Sequence, residues 1–142
     1  MVNLVLPTKK GSFSLFYLPY FRRRHFFGIA DRFRTSTLIA RKELAFESPL
    51  RVWHPNVSAR WSQTINQVDI GLTHFYGTDR EPLFVIGEQP PNSQLIYPII
   101  HQTSIDIQAP WKSFLWKAEA IYRTSAFQSF YAFAGGLSLI HI

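Results

Sequence analysis

Six charged residues between positions 60 and 123 sit at alternating positions among apolar neighbours: Arg60, Asp69, Asp106, Lys117, Glu119 and Arg123. Arg60 stands between Ala59 and Trp61, Asp106 between Ile105 and Ile107, and Lys117 and Glu119 are interleaved with Trp116, Ala118 and Ala120. Successive side chains of a strand point to opposite faces, so each such segment has a charged face and an apolar face. Three positive and three negative groups suit two roles. Lining a water-filled passage, they set its ion selectivity, as rings of side chains do in channels; closing on one another, they fill a narrow interior as a salt-bridge network. Neither role requires catalysis.

Other chemistry lacks its spacing. His25, His54, His74 and His101 form no H-E-x-x-H or paired metal motif, and there is no G-x-S-x-G and no phosphate-cradling glycine loop. No catalytic residue, metal site or cofactor is expected, and the chain is not expected to be an enzyme. The absence of cysteine excludes a disulfide scaffold and a zinc-thiolate site. The net charge of +6 is local: residues 1–50 hold nine Lys or Arg against three Asp or Glu, and the remainder holds six against six. Arg22, Arg23 and Arg24 head this basic segment. Their planar guanidinium groups suit the phosphates of lipopolysaccharide or an anion-selective mouth, and the plain alternative is a solvated loop. Nucleic acid is not an expected partner, since neither a recognition helix nor a stacking platform accompanies the charge.

The elements that must position these residues are strands. VNLVLP and SFSLFYLPY are separated by a turn at Thr8 to Gly11, with Pro7 breaking the first. In RVWHPNVSARWSQTINQVDIGLTHFYG, Val57, Ala59 and Trp61 alternate with Ser58, Arg60 and Ser62, and Val68, Ile70 and Leu72 alternate with Asp69, Gly71 and Thr73. The Asn66-Gln67 pair joins them as a hairpin. YPIIHQTSIDIQAP is the next strand, Pro110 to Ser113 a turn, FLWKAEAIYR another strand, and SFYAFAGG begins a further one. The strands predicted are 12–20, 57–66, 68–77, 98–109, 114–123 and 128–137. Residues 21–48 and 78–96 read as long loops, with a brief helix signalled at Leu38 to Ala45.

Short turns near 8–11, 66–67 and 110–112 therefore alternate with long connections at 21–48 and 78–96, although the connection at 123–127 departs from this by being short. This is the pattern of an antiparallel up-and-down meander whose two ends face different compartments. The strands have 9 to 12 residues, close to the 9–11 that a tilted strand needs to cross a bilayer. No window reaches the apolar run of about 18 residues that a spanning helix needs. Aromatics make up 16% of the chain, as 13 Phe, 6 Tyr and 4 Trp, and Trp111, Tyr122, Tyr20 and Tyr76 fall near strand ends, where interfacial girdles would lie. The expected fold is all-β: six or seven strands of an incomplete, open transmembrane barrel. Arg60, Asp69, Asp106, Lys117, Glu119 and Arg123 face its lumen, and Phe114, Trp116, Ala118, Ala120 and Tyr122 face lipid. The alternative is a soluble β-rich domain that holds an apolar ligand in an enclosed pocket.

The segments LFYLPYFRRRHF, WHPNVSARWSQTINQVDIGLTHFYGTDREP and WKSFLWKAEAIYR followed by FYAFAGG resemble bacterial outer-membrane β-barrel proteins of the porin-like kind. The likeness spans most of residues 2–136. It implies the outer membrane of a Gram-negative bacterium, short periplasmic turns, long extracellular loops, lipid and lipopolysaccharide as neighbours, and passive passage of small solutes. The final LSLIHI, Leu137 to Ile142, resembles read-through of a sequencing adapter. The expectation is thus a partial barrel over 1–136 and a non-native tail over 137–142, with six or seven strands falling short of the eight or so of a small single-chain barrel.

Overall fold

The computed structural model describes residues 1–24, 44–86 and 93–139, and these are built from strands. Seven of them form one antiparallel sheet: β1 (Val2–Thr8), β2 (Gly11–Leu18), β4 (Asn56–Ile65), β5 (Val68–Thr78), β8 (Ile99–Trp111), β9 (Phe114–Ser125) and β10 (Ser129–Leu139), hydrogen-bonded in that order. Each of these strands pairs with the one before it in the sheet, so the topology is an up-and-down meander, left open with β1 and β10 at its edges.

Three short turns share one end, and a fourth, Ala126 to Gln128 between β9 and β10, lies at the other. Lys9 and Lys10 join β1 to β2, where the Thr8 hydroxyl donates to the Gly11 carbonyl at 2.6 Å. Gly11 has φ +103°, and a Cβ there would collide with the Ser62 carbonyl of the next strand. Asn66 and Gln67 join β4 to β5 with φ 48° and 75°, the mirror-image turn whose twist matches a hairpin. Lys112 and Ser113 join β8 to β9, with Lys112 at φ 54°.

The long connections meet at the other end. β3 (Leu44–Phe46), from the first, pairs in parallel with β7 (Ser93–Tyr97), which pairs antiparallel with β6 (Leu83–Ile86), both from the second. Phe21 packs edge-on to Phe46 and Tyr97 at ring-centroid distances of 5.9 and 5.1 Å, and Phe46 stacks on Tyr97 at 5.0 Å. Among the described residues the buried hydrophobic side chains are Phe21, Leu95, Tyr97 and Ile100. The core therefore sits at this end of the molecule, beside the large sheet's rim.

Three sequence readings need correction. Residues 78–96 are not only loop, since β6 and β7 lie there. Pro110 does not open a turn, and Pro7 does not end its strand. β8 runs through Pro110 to Trp111 and β1 runs through Pro7 to Thr8. Proline lacks the N–H that a central ladder needs. Here β1 is an edge strand, and β5 pairs with β8 only as far as Gln108, so Pro110 has β9 alone as a neighbour. The helix expected at Leu38 to Ala45 lies outside the described residues through position 43, and Leu44 and Ala45 are in β3. Leu137 to Leu139 continue β10, paired with Trp116, Leu115 and Phe114.

Candidate functional site

Residues opposite one another on paired strands lie on the same face, so the register assigns every side chain of the large sheet to one of two surfaces. Arg60 lies opposite Thr73, Gly71 opposite Asp106, Asp106 opposite Glu119, Gln108 opposite Lys117 and Gln102 opposite Arg123. Asp69 is opposite Gln108. All six charged residues predicted from alternation therefore share one face, together with Ser12, Ser14, Ser58, Ser62 and Ser104. Phe114, Trp116, Ala118, Ala120 and Tyr122 lie on the other.

The structure pairs some of these charges and leaves others apart. Arg60 reaches from β4 across β5 to Asp106 on β8, bonding both carboxylate oxygens at 2.7 and 2.9 Å and the Thr73 hydroxyl at 2.9 Å. Two strand spacings separate the partners, about 10 Å, and the guanidinium crosses directly over Gly71. A Cβ at position 71 would collide with the Arg60 guanidinium and with both Asp106 oxygens, so the glycine is the gap through which the pair closes. Bidentate arginine–carboxylate geometry of this kind is among the stronger ion-pair arrangements. Arg123 donates to the Gln102 side chain at 2.8 Å and to Asp79 at 3.1 Å, with its guanidinium 5.0 Å from the Phe130 ring centroid. It thereby ties β9 to the start of the second long connection. Asp69 accepts from the Thr64 hydroxyl at 2.6 Å. Lys117 and Glu119 are exposed and enter no ion pair among the described residues. A polar cavity of about 370 Å³ opens on this face beside Ser12, Arg60, Ser62, Thr64, Asp69 and Asp106.

The opposite face carries no Asp, Glu, Lys or Arg on any of the seven strands. Its middle is aliphatic or small, with Leu4, Leu15, Ala59, Leu72, Ile105, Ile107, Ala118 and Ala120. Aromatic side chains lie towards both ends. Tyr17, Tyr76, His101, Tyr122 and Tyr131 mark the long-connection side, and Phe13, Trp61, Trp111, Phe114 and Trp116 the short-turn side. Tyr122 stacks on Tyr131 at 4.7 Å, the Trp61 indole donates to the Lys10 carbonyl at 3.1 Å, and the Lys112 ammonium sits 5.4 Å from the Trp111 ring. From His101 to Trp111 along β8 is roughly 33 Å at about 3.3 Å per residue. A tilt of about 40° reduces that to about 25 Å, the height of the apolar band on a membrane barrel.

Along β2 and β8 exposure runs opposite to that of a water-soluble sheet. Along β2, Phe13, Leu15 and Tyr17 are exposed while Ser12, Ser14 and Phe16 are half-buried; along β8, Ile105 and Ile107 are exposed while Ser104, Asp106 and Gln108 are half-buried. A sheet curled with its polar face inward gives this pattern. No second layer packs on the apolar face among the described residues, and Trp116 is 50% exposed. An open apolar groove of about 630 Å³ runs along that face between Leu72, Ile105, Ala120, Tyr122, Tyr131 and Phe133.

Arg22, Arg23 and Arg24 follow directly on the buried Phe21 at the long-connection end. All three are exposed; Arg23 lies over the Phe46 ring at 5.0 Å, and the Arg24 amide donates to the Tyr97 hydroxyl at 3.2 Å. Phe21 thus anchors a basic patch at that rim, remote from the Arg60–Asp106 pair. Of the interfacial aromatics expected, Tyr76, Trp111 and Tyr122 fall in the two bands, and Tyr20 packs edge-on to Trp53 at 5.2 Å in the first long connection. Sequence reasoning missed Asp79 as the partner of Arg123, and Thr73 and Gly71 as parts of the Arg60 site. A glycine inside an alternating strand was the available signal for the last, since it often marks a close approach. Among the described residues no group of three metal-ligating side chains occurs, and no helix is long and apolar enough to cross a membrane. Comparison with protein-family models, curated proteins and solved structures found no match for this chain.

Proposed function

We propose that this sheet is a sector of an outer-membrane β-barrel in a Gram-negative bacterium, a porin-like channel for passive passage of small solutes. The observation that carries the reading is the exposure along β2 and β8: an uncharged, ring-bordered face left open, and a polar face half-buried behind it. Apolar surface of that extent is unfavourable in water, whereas lipid accepts it, provided that backbone groups are satisfied by strand pairing. Arg60, Asp69, Asp106, Lys117, Glu119 and Arg123 then border an aqueous lumen, and the serine hydroxyls beside them offer further contacts to a solute. Arg22 to Arg24 stand at the outer rim, placed to meet lipopolysaccharide phosphates. Nothing in this function calls for a catalytic group or a cofactor. The reading of a soluble domain with an enclosed apolar pocket has less support, because the apolar groove lies open on the uncovered side of the sheet.

The native absence of cysteine makes a direct test available. Ser104→Cys and Ile105→Cys, introduced one at a time in the chain folded into phospholipid vesicles, place a thiol on each face at the same depth. A water-soluble maleimide is expected to label position 104 and to leave position 105 unmodified, and brominated acyl chains are expected to quench a fluorophore at 105 alone. Equal labelling at both positions removes the membrane reading. Planar-bilayer recording of the full-length protein tests the channel itself, with absence of unitary currents above background counting against conduction.

A further inference from the structure

We infer that His74 and His101 form a surface site for a divalent transition-metal ion of borderline softness, copper(II) or zinc(II). The two imidazoles lie diagonally across β5 and β8, His74 opposite Thr103 and His101 opposite Tyr76, and their ring centroids are 5.9 Å apart. Both side chains are exposed. Imidazole nitrogen binds such ions at about 2.0–2.1 Å, which puts the metal roughly 3.2 Å from each ring centroid. Two ligating rings can then stand at most about 6.4 Å apart, and about 5.2 Å apart at a tetrahedral angle. The observed separation lies between these limits, as two rings sharing one ion require.

A second feature prepares His74 for this role. Its Nδ1 lies 2.9 Å from the Thr103 hydroxyl. With Nδ1–H donating to that oxygen, the lone pair is on Nε2, and a ligating histidine is commonly oriented in this way through its other nitrogen. The His101 ring lies 4.8 Å from the Tyr76 ring. His54 is not a third ligand: it is buried, its Nδ1 is 2.9 Å from the Ser48 hydroxyl, and its ring meets Tyr76 edge-on. Two protein ligands leave the remaining positions to water, and the order of affinities places copper(II) above zinc(II). The site joins β5 to β8 at the tyrosine-bearing end of the uncharged face, and where lipid covers that face this end lies in the interfacial band, where water reaches the ion.

The test is titration of the full chain, folded in detergent micelles, with copper(II) and detection by electron paramagnetic resonance. One ion per chain with hyperfine coupling to two imidazole nitrogens is expected. His74→Gln and His101→Gln should each weaken binding by about tenfold or more and leave one coupled nitrogen, and Thr103→Val should weaken it by up to about tenfold. Copper binding unchanged in the H74Q/H101Q double variant would place the ion on another histidine and overturn the inference, as would a wild-type chain that binds none. A measurement on the unsubstituted chain guards against variants that fold poorly: copper should protect His74 and His101 together from carbethoxylation by diethyl pyrocarbonate, and loss of neither modification overturns the site.

Discussion

Aromatic rings in this molecule meet two different fates. At the long-connection end Phe21 and Tyr97 are 3% and 0% exposed and pack on Phe46, as rings do in any protein folded in water. On the uncharged face of the large sheet Trp116, Tyr131 and Phe133 are 50, 80 and 78% exposed. The residue types are alike, so composition does not separate the two regions. The difference is exposure: the small core removes its own apolar surface from water, and the sheet leaves its own open, which on the proposed reading is covered by lipid.

Changes at these two regions should therefore respond differently to solvent. The largest effect is expected from Phe21→Ala, which empties the centre of the small core and should destabilise the loop strands by about 3–5 kcal/mol. Hydrogen exchange of amides 95–97 measures this, and the loss should be the same in micelles and in vesicles. A loss that appears in only one medium would break the contrast. Next is Ile105→Lys on the uncharged face, expected to cost about 2–4 kcal/mol in a bilayer, against well under about 1 kcal/mol for Ser104→Lys on the charged face. Denaturant unfolding from phospholipid vesicles compares them, and equal costs at adjacent positions would sink the assignment of faces.

Gly71→Ala should cost about 1–3 kcal/mol, because the new methyl forces the Arg60 guanidinium off Asp106. In an Asp106→Ala background the pair is already gone, so the same substitution should cost less, and a double-mutant cycle reads the difference as coupling. Strict additivity would mean that the glycine is not there for the ion pair. The smallest effect is Tyr97→Phe, which removes the hydroxyl accepting from the Arg24 amide and should cost about 0.5–1.5 kcal/mol. Amide exchange at Arg24 reports it.

Much of the large sheet was legible because alternation is local: a single strand such as Phe114–Ser125 declares both of its faces without reference to any other. The Asn66-Gln67 turn was equally legible, being a two-residue link between two alternating runs. The loop sheet was not, since β3 has three residues, β6 four and β7 five, and the parallel pairing of β3 with β7 joins segments about fifty residues apart. Pro7 and Pro110 misled for a related reason, because a proline breaks a strand only where its neighbour needs the missing N–H, and which side is paired is a property of the sheet. Arg60 and Asp106 could be placed on one face but not in contact, because adjacency depends on β5 standing between them. Asp79 was out of reach altogether, lying in a connection with no periodicity.

Since the Arg60 guanidinium occupies the space a side chain at 71 would need, these positions cannot drift independently. Position 71 is expected to stay glycine for as long as the Arg60–Asp106 pair persists. It becomes free to vary once both charges are lost. Tolerance at each of three positions is thus set by the other two, an epistatic unit on three adjacent strands whose charged members are 46 residues apart in sequence.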